Sequence, residues 1–473
     1  MTASASRSAI MHRDSHFTPK KAVGGKGCYI FLEDGTRFLD STGGAAVACL
    51  GHGNETVQQA IKEQMDQISY CHSAFFGTNA AEELAQLLVD STGGKMSKLF
   101  VVSSGLESLI LFYSNPLTSL NLGSEAIDGA LKLARQYFLE LPSPQPERTR
   151  FIARSRSYHG TTIGALGVGG HLSRRELFEP LLAKNTSHVS PCNAYRGKKD
   201  DESDASYVVR LAAELDAEFQ RVGPETVCAF VAEPVVGAAL GCVPAVPGYF
   251  PAMKAVCEKY GALLILDEIM SGMGRTGTLH AWEQEDVVPD IQTIGKGLGG
   301  GYAPVSAILV NDSIVQILDN GTGVFRHGQT YQGHPISCAA ALAVQKTVQE
   351  RNLLENVRNM GAYMEQQLRQ HLGDHPYVGD IRGKGLFWGI EFVNDKITKE
   401  PFDPVTRLSF LMQEKGLCPK YALSLYGNPG TVDGVRGDHV IISPPFTVSK
   451  EEIDIIVDGA TKVFAEVFNE LGL

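Results

Sequence analysis

Short, strongly apolar runs recur along this chain and alternate with helical stretches, and that alternation restricts the fold more than any other feature. LFVVS (99–103), FIAR (151–154), CAFVAEP (228–234), LLILDE (263–268) and SAILV (306–310) read as buried strands. Helical patterning falls at 56–67, 80–90, 124–140, 204–222 and 249–260. Strands that alternate with helices build a sheet covered by helices on both faces. In such sheets ligands gather at the carboxyl ends of the strands. Before this region, 29–50 reads as short strands around the turn Glu33-Asp34-Gly35. After about 335 the texture changes. One long helix (336–371) leads to DIRGKGLFWGIEF, a strand pair, and then a C-terminal helix. With 473 residues the chain exceeds the roughly 250–300 that one core usually serves. The expected division is an N-terminal segment (1–58) packing with a small domain (336–473), and a large ligand-binding domain (59–335).

Composition removes several function classes. The net charge of −11, with no basic stripe, argues against nucleic acid as a partner. No apolar run is long enough to span a bilayer as a helix, so no membrane partner is expected. The nine cysteines are scattered without a CxxC pair, which speaks against a zinc site or a disulfide framework and for a reducing compartment. A cytoplasmic location is expected. The Ser- and Arg-bearing start MTASASRSAIMHR, with no acid before Asp14, also allows a short mitochondrial targeting segment.

Two features carry chemistry. Asp267 and Glu268 end an apolar strand, where acids are poorly solvated unless a cation faces them or they cap the next turn. Lys296 lies in IGKGLGGGYAP, where five of seven residues (295–301) are glycine, so the backbone can crowd a ligand. A desolvated lysine has a lowered pKa and becomes a nucleophile toward carbonyls. A nucleotide-binding P-loop does not fit, because Asp290 stands where its first glycine belongs and Gly297 where Ser or Thr is required. An acid followed about thirty residues later by a glycine-embedded lysine suits pyridoxal phosphate, which needs a lysine for its Schiff base and an acid at its ring nitrogen.

The stretches LLILDEIMSGMGRTG, PDIQTIGKGLGGGYAPVSA, HGQTYQGHPISCAAALA, YIFLEDGTRFLDSTGGAAVACLGHG and DIRGKGLFWGIEF resemble the class III (omega) aminotransferases, a family of fold type I pyridoxal-phosphate enzymes. The resemblance runs over nearly the whole chain. It implies a large domain with a mostly parallel sheet covered by helices, plus a smaller α+β domain. It also implies a homodimer with shared active sites. Lys296 would carry the Schiff base and shuttle a proton, and Asp267 would keep the ring nitrogen protonated. Tyr158 would stack on one face of the ring and Ile269 would pack on the other. His159 would belong to the cofactor site in a structural role, and Glu233 would sit near the substrate. Thr330 would reach the phosphate of the neighbouring subunit. The reaction implied is transfer of an amino group from a small-molecule amine to a 2-oxo acid in a ping-pong cycle. An aminomutase or decarboxylase on the same scaffold is the alternative within the fold.

Three departures from the family pattern stand out. Met270 replaces a glutamine common among relatives. Near the C-terminus, Ile441 and Ile442 occupy the region where some relatives keep a carboxylate-binding arginine. Arg436, in GVRGDHVIISPPF, is then the candidate carboxylate clamp, and Glu233 is left to meet a substrate ammonium. Both points favour omega-amino acids or amines as donors. The third departure lies at the expected phosphate turn. Ser103-Ser104-Gly105 is separated from Ser124-Glu125-Ala126 by 18 residues (106–123) whose one charge is Glu107. Removing them joins LFVVSSG to SEAIDGALKLARQYF without a seam, so Ser104, Gly105 and Ser124 would form a phosphate cup at a helix N-terminus. Such an apolar segment is unlike a surface loop. It reads as a retained intron of 54 nucleotides in frame, or alternatively as a genuine lineage-specific insertion. Leu117-Thr118 can be encoded by a branch-point-like CTAAC, and Leu122-Gly123 by TTAGG, which contains a splice acceptor. Splitting the cup should weaken cofactor binding, and in the limit it would leave a catalytically impaired dimer.

Overall fold

A computed structural model describes residues 9–10, 12, 19–102 and 123–473. Residues 106–122 of the expected segment 106–123, together with Ser104 and Gly105, lie outside the described residues.

The alternating region forms a seven-stranded sheet. Its order across the sheet is Lys98–Val102, Ser306–Val310, Ile291–Ile294, Leu263–Asp267, Val227–Ala232, Arg150–Arg154 and Thr186–Val189. Six strands run parallel. Ser306–Val310 is antiparallel to both of its neighbours, so the sheet is mostly parallel. The central strands VCAFVA, LLILD, IQTI and SAILV are buried at every position. That is the pattern of strands covered on both faces, and it explains their near-continuous apolar sequence. Two strands escaped the sequence reading. Thr186–Val189 is half polar, and Ile291–Ile294 carries Gln292 and Thr293.

The flanking helices follow their sequence signals. Glu55–Gln67, Asn79–Ser91, Gly123–Glu140, Asp204–Val222 and Tyr249–Lys259 coincide with the expected ones to within a residue or so. Asn54, Thr78 and Ser203 cap three of them by accepting backbone N–H groups. The expected long helix over 336–371 is corrected. It is two helices, Pro335–Glu350 and Leu353–Leu372, separated at Asn352 in the left-handed region (φ 48, ψ 42). Asparagine tolerates that conformation. Apolar periodicity continues on either side, so the break is invisible to periodicity alone.

The C-terminal strand pair, Val378–Lys384 with Phe387–Phe392, belongs to an antiparallel four-stranded sheet completed by Asp438–Ile442 and Tyr426–Pro429. The helix Lys450–Glu470 packs on it behind a capping box made by Ser449 and Glu452. One apolar core joins Cys28, Leu39, Cys49 and Val57 from the N-terminal part to Trp388, Val440, Phe446 and Phe464.

Candidate active site

Four chain segments leave the sheet at the carboxyl ends of its parallel strands and meet the start of a helix in one place. Asp267 is the last residue of its strand, and Glu233 follows Val227–Ala232. Tyr158, His159 and Gly160 follow Arg150–Arg154, and Lys296 follows Ile291–Ile294. Gly123 and Ser124 open the helix Gly123–Glu140. Together with Ile269 and Met270, these residues line one cavity. The topology places the site where doubly wound sheets collect ligands.

Lys296 lies in the left-handed region (φ 43), where a non-glycine residue carries backbone strain, and its side chain is buried. Its Nζ donates to the Ala45 carbonyl at 3.1 Å. Burial lowers its pKa to about 8; the Asp267 and Glu233 charges oppose that shift, and the Arg174 charge adds to it. A free amine at near-neutral pH is the form that attacks a carbonyl. The apoprotein is therefore expected to capture pyridoxal phosphate with a rate that rises about tenfold from pH 6 to pH 7 and flattens above pH 8 to 9. Stopped-flow absorbance across that range checks this. A rate still climbing at pH 10 would assign the lysine its ordinary pKa.

Asp267 is buried and held by three donors. His159 Nδ1 lies 2.8 Å from Oδ2, the Ile269 N–H donates to Oδ1 at 3.0 Å, and Thr293 Oγ1 stands 3.4 Å from Oδ1. A carboxylate has about four lone-pair sites, so one stays open for a further N–H donor. The carboxylate fixes the imidazole with Nδ1 as its donor nitrogen, which suits the structural role expected of His159. Among the described residues its Nε2 is buried without a partner. Glu268 points to other work. Its carboxylate accepts the Ala281 and Trp282 N–H groups at 2.7 and 2.8 Å and Gln292 Nε2 at 2.9 Å. It is the acid that caps the following turn.

Two glycines make the cavity possible. A Cβ on Gly160 (φ 133) would stand 2.2 Å from Ser124 Oγ, and one on Gly123 would stand 2.6 Å from Ile269 Cγ2. Ser124 Oγ accepts the Thr161 N–H at 2.9 Å, tying the helix start to the turn after Tyr158. The helix N-terminus beside these glycines favours an anion. A buried nucleophilic amine, a carboxylate with one open acceptor site and an anion-favouring helix start form a donor set that fits a phosphorylated pyridine aldehyde.

Some expected residues land elsewhere. Glu233 borders the cavity, but Oε1 accepts the Tyr158 N–H at 3.0 Å and Oε2 the Gly237 N–H at 3.1 Å. It braces two turns, and burial raises its carboxyl above the usual range. Arg436, the expected clamp, stands outside the cavity lining. It is half exposed in a glycine-rich turn, with Nε 2.7 Å from Asp433 and Nη1 3.4 Å from Glu400. Asp433 also caps the Val435 and Arg436 N–H groups, so the turn's own geometry holds the guanidinium outward. Thr330 is exposed and away from the cavity lining, and its carbonyl accepts Tyr70 Oη at 3.1 Å. The sequence reading missed Ala45 and Gly160, which act through their backbone, Thr293, whose hydroxyl reaches Asp267, and Arg174, which no spacing singles out.

A family model for aminotransferase class-III matches residues 10–464. The chain belongs to the class III aminotransferases. It is 51% identical over 440 residues to an aminotransferase of Gibberella zeae, covering 93% of this chain and 82% of that protein. It is 32% identical over 451 residues to the chloroplastic gamma aminobutyrate transaminase 3 of Solanum lycopersicum, covering 94% and 80% of the two chains. Among solved structures, an amine transaminase from an uncultivated Pseudomonas species, in a PLP-bound form, superposes with a TM-score of 0.85 at 29% identity, over 98% of both chains. This class III aminotransferase is accordingly a pyridoxal-phosphate-dependent transaminase of fold type I. Among its described residues no helix is long and apolar enough to cross a membrane.

Proposed function

We propose that this transaminase moves an amino group from an omega-amino acid or amine to a 2-oxo acid, with Lys296 and Asp267 as its catalytic residues. One observation supports the reaction: Lys296, Asp267 and Ser124 at the helix start line one cavity. The donor class rests on Ile441 and Ile442, which stand where some relatives keep a carboxylate-binding arginine. The names of the tomato and Pseudomonas relatives agree with this reading.

Bound pyridoxal phosphate supplies an aldehyde carbon and an electron-withdrawing ring. Lys296 Nζ would hold that carbon and, once freed, would carry a proton at the reacting carbon. Asp267, kept in place by His159, would hold a proton at the ring nitrogen. Tyr158 and Ile269 would bound the ring, and Ser124 with the helix start would hold the phosphate. Ser104 and Gly105 join that cup if the chain brings them to it.

Replacing Asp267 with asparagine removes the charge that retains the ring proton. A kcat loss of about 100-fold or more is expected, with KM much less affected. Equal kcat in the variant and the parent would remove Asp267 from the mechanism.

The second subunit is part of the proposal. Phe75 and Phe76 are 76% and 64% exposed, and Tyr331, next to Thr330, is 44% exposed. Such an apolar surface suits a homodimer in which Thr330 reaches the partner's phosphate. The division at residues 58 and 335 belongs here too, supported by the core shared between the N-terminal and C-terminal parts. The nine unpaired cysteines support a cytoplasmic or other reducing location.

The test is a panel of amines and 2-oxo acids. Omega-amino acids or amines should convert the enzyme in a half-reaction that a 2-oxo acid reverses. Turnover without any added 2-oxo acid would contradict transamination. Preference for alpha-amino acids would contradict the donor class.

A further inference from the structure

Arg174 and Arg175 are adjacent in the short helix Leu172–Arg175 and have opposite situations. Arg175 is fully engaged. Its Nη1 donates to the Leu166 and Gly167 carbonyls at 3.0 and 2.8 Å and to the Gly169 carbonyl, and its Nε meets Glu179 at 3.3 Å. The Arg174 guanidinium makes no hydrogen bond and no ion pair among the described residues. Its guanidinium lies over the ring of Tyr158, with Cζ 4.6 Å from the centroid, and the side chain is only partly exposed. Tyr158 in turn lines the Lys296 cavity.

A guanidinium held on a ring by stacking keeps all five N–H donors available. Leu172, Ser173 and Arg175 line a cavity of about 890 Å³ whose other walls include Arg156, Val432 and Asp433, whereas Arg174 is not among its walls and lies on Tyr158 at the edge of the Lys296 cavity. The nearby cations are otherwise committed. Arg156 donates to the Val432 carbonyl, and Arg436 is paired with Asp433. The neighbouring His171 is buried, and burial together with the Arg174 charge depresses its pKa to about 3, so it carries no competing charge. The Arg174 charge is also felt at Lys296, where it helps depress the amine pKa.

We propose that Arg174 binds the substrate carboxylate, as a specificity-determining residue of this transaminase. The inference rests on the proposed omega-amino acid and 2-oxo acid chemistry. It gives the carboxylate-binding role expected of Arg436 to the short helix Leu172–Arg175. The planar fork of Arg174 presents two parallel N–H donors to a carboxylate while Tyr158 supports its face. A substrate amine without a carboxylate gains nothing from it.

The experiment compares 4-aminobutanoate with n-butylamine, which has the same four-carbon chain but no carboxylate, on the holoenzyme and on R174A, R174Q and R174K. The measured quantity is the ratio of kcat/KM for the two donors, which cancels any loss of active protein. The ratio is expected to fall about 10- to 100-fold in R174A and R174Q and less in R174K, which keeps the charge without the fork. Calorimetric binding of butanoate, which has no amine to react, should weaken in parallel. A donor ratio changing less than fivefold in both R174A and R174Q overturns the proposal. If the parent enzyme accepts n-butylamine and refuses 4-aminobutanoate, the donor is an amine and the omega-amino acid half of the donor reading fails by itself. Arg174 is then judged on the acceptor, with n-butylamine as donor, by whether KM for 2-oxoglutarate and pyruvate rises at least fivefold. R436A is the comparison for the rejected site, and a ratio that falls in R436A but not in R174A returns the role to Arg436.

Discussion

Lys296→Ala is expected to abolish the visible absorbance that pyridoxal phosphate acquires on joining the enzyme, and to lower kcat by about four orders of magnitude or more. Two functions are lost together. Lys296 supplies the nucleophile that anchors the cofactor, and after the donor displaces it, the amine that carries the proton. Its surroundings show why another lysine would not substitute. Nζ is buried next to the Ala45 carbonyl, and desolvation brings its pKa to about 8. A surface lysine keeps its proton two units higher and offers little free amine near neutrality. The check is an absorbance spectrum and steady-state rate on the purified variant reconstituted with excess cofactor. An intact chromophore in Lys296→Ala would show that a different residue forms the bond. The fold should survive, because truncation removes a buried amine rather than a packed apolar side chain.

Removing residues 106–123 is expected to tighten pyridoxal phosphate binding on the order of 100-fold. The strand Lys98–Val102 and the helix starting at Gly123 are the two elements that a phosphate cup must join. Charge-assisted hydrogen bonds from such a turn are each worth about 1.5–3 kcal/mol when one partner is ionised, so losing part of the cup costs one to two such contacts. Gly105 and Gly123 are both glycine, so excising 106–123 or 105–122 leaves the same 455-residue chain. In the structure, Gly123 is the glycine beside Ile269 and Ser124, where a Cβ would collide. The deletion therefore keeps a glycine where the site needs one. Fluorescence or absorbance titration of the two apoproteins with the cofactor checks this. Equal affinities, or weaker binding by the shorter chain, would mean that the longer chain forms a complete cup. Sequencing the transcript addresses the origin of the segment separately. If most mature messages contain the 54 nucleotides, the retained-intron reading is wrong whatever the affinities are.

Much of the chain was legible before its structure. Strands such as LLILD and SAILV are buried on both faces, so their sequences have little choice but to be apolar, and the alternation with amphipathic helices follows from that. Asp267 and Lys296 were legible for the opposite reason: each breaks the local rule, an acid ending an apolar strand and a lysine among glycines. Positions that violate local consistency are where function concentrates. The turn at Asn352 and the strand Ile291–Ile294 were not legible, because a single left-handed residue or two buried polar side chains barely alter an apolar pattern.

The carboxylate-binding arginine shows the limit most clearly. Sequence alone picks out Arg436, because it lies near a position that relatives use. Only the tertiary structure reveals that Asp433 already satisfies it and that Arg174 stands on Tyr158 with its donors unspent. An amino-acid sequence fixes which groups are present and, through apolar periodicity, which elements they ride on. Whether a guanidinium is free or paired depends on which residues distant along the chain arrive beside it, and that is settled when the strand ends converge and the surrounding turns close.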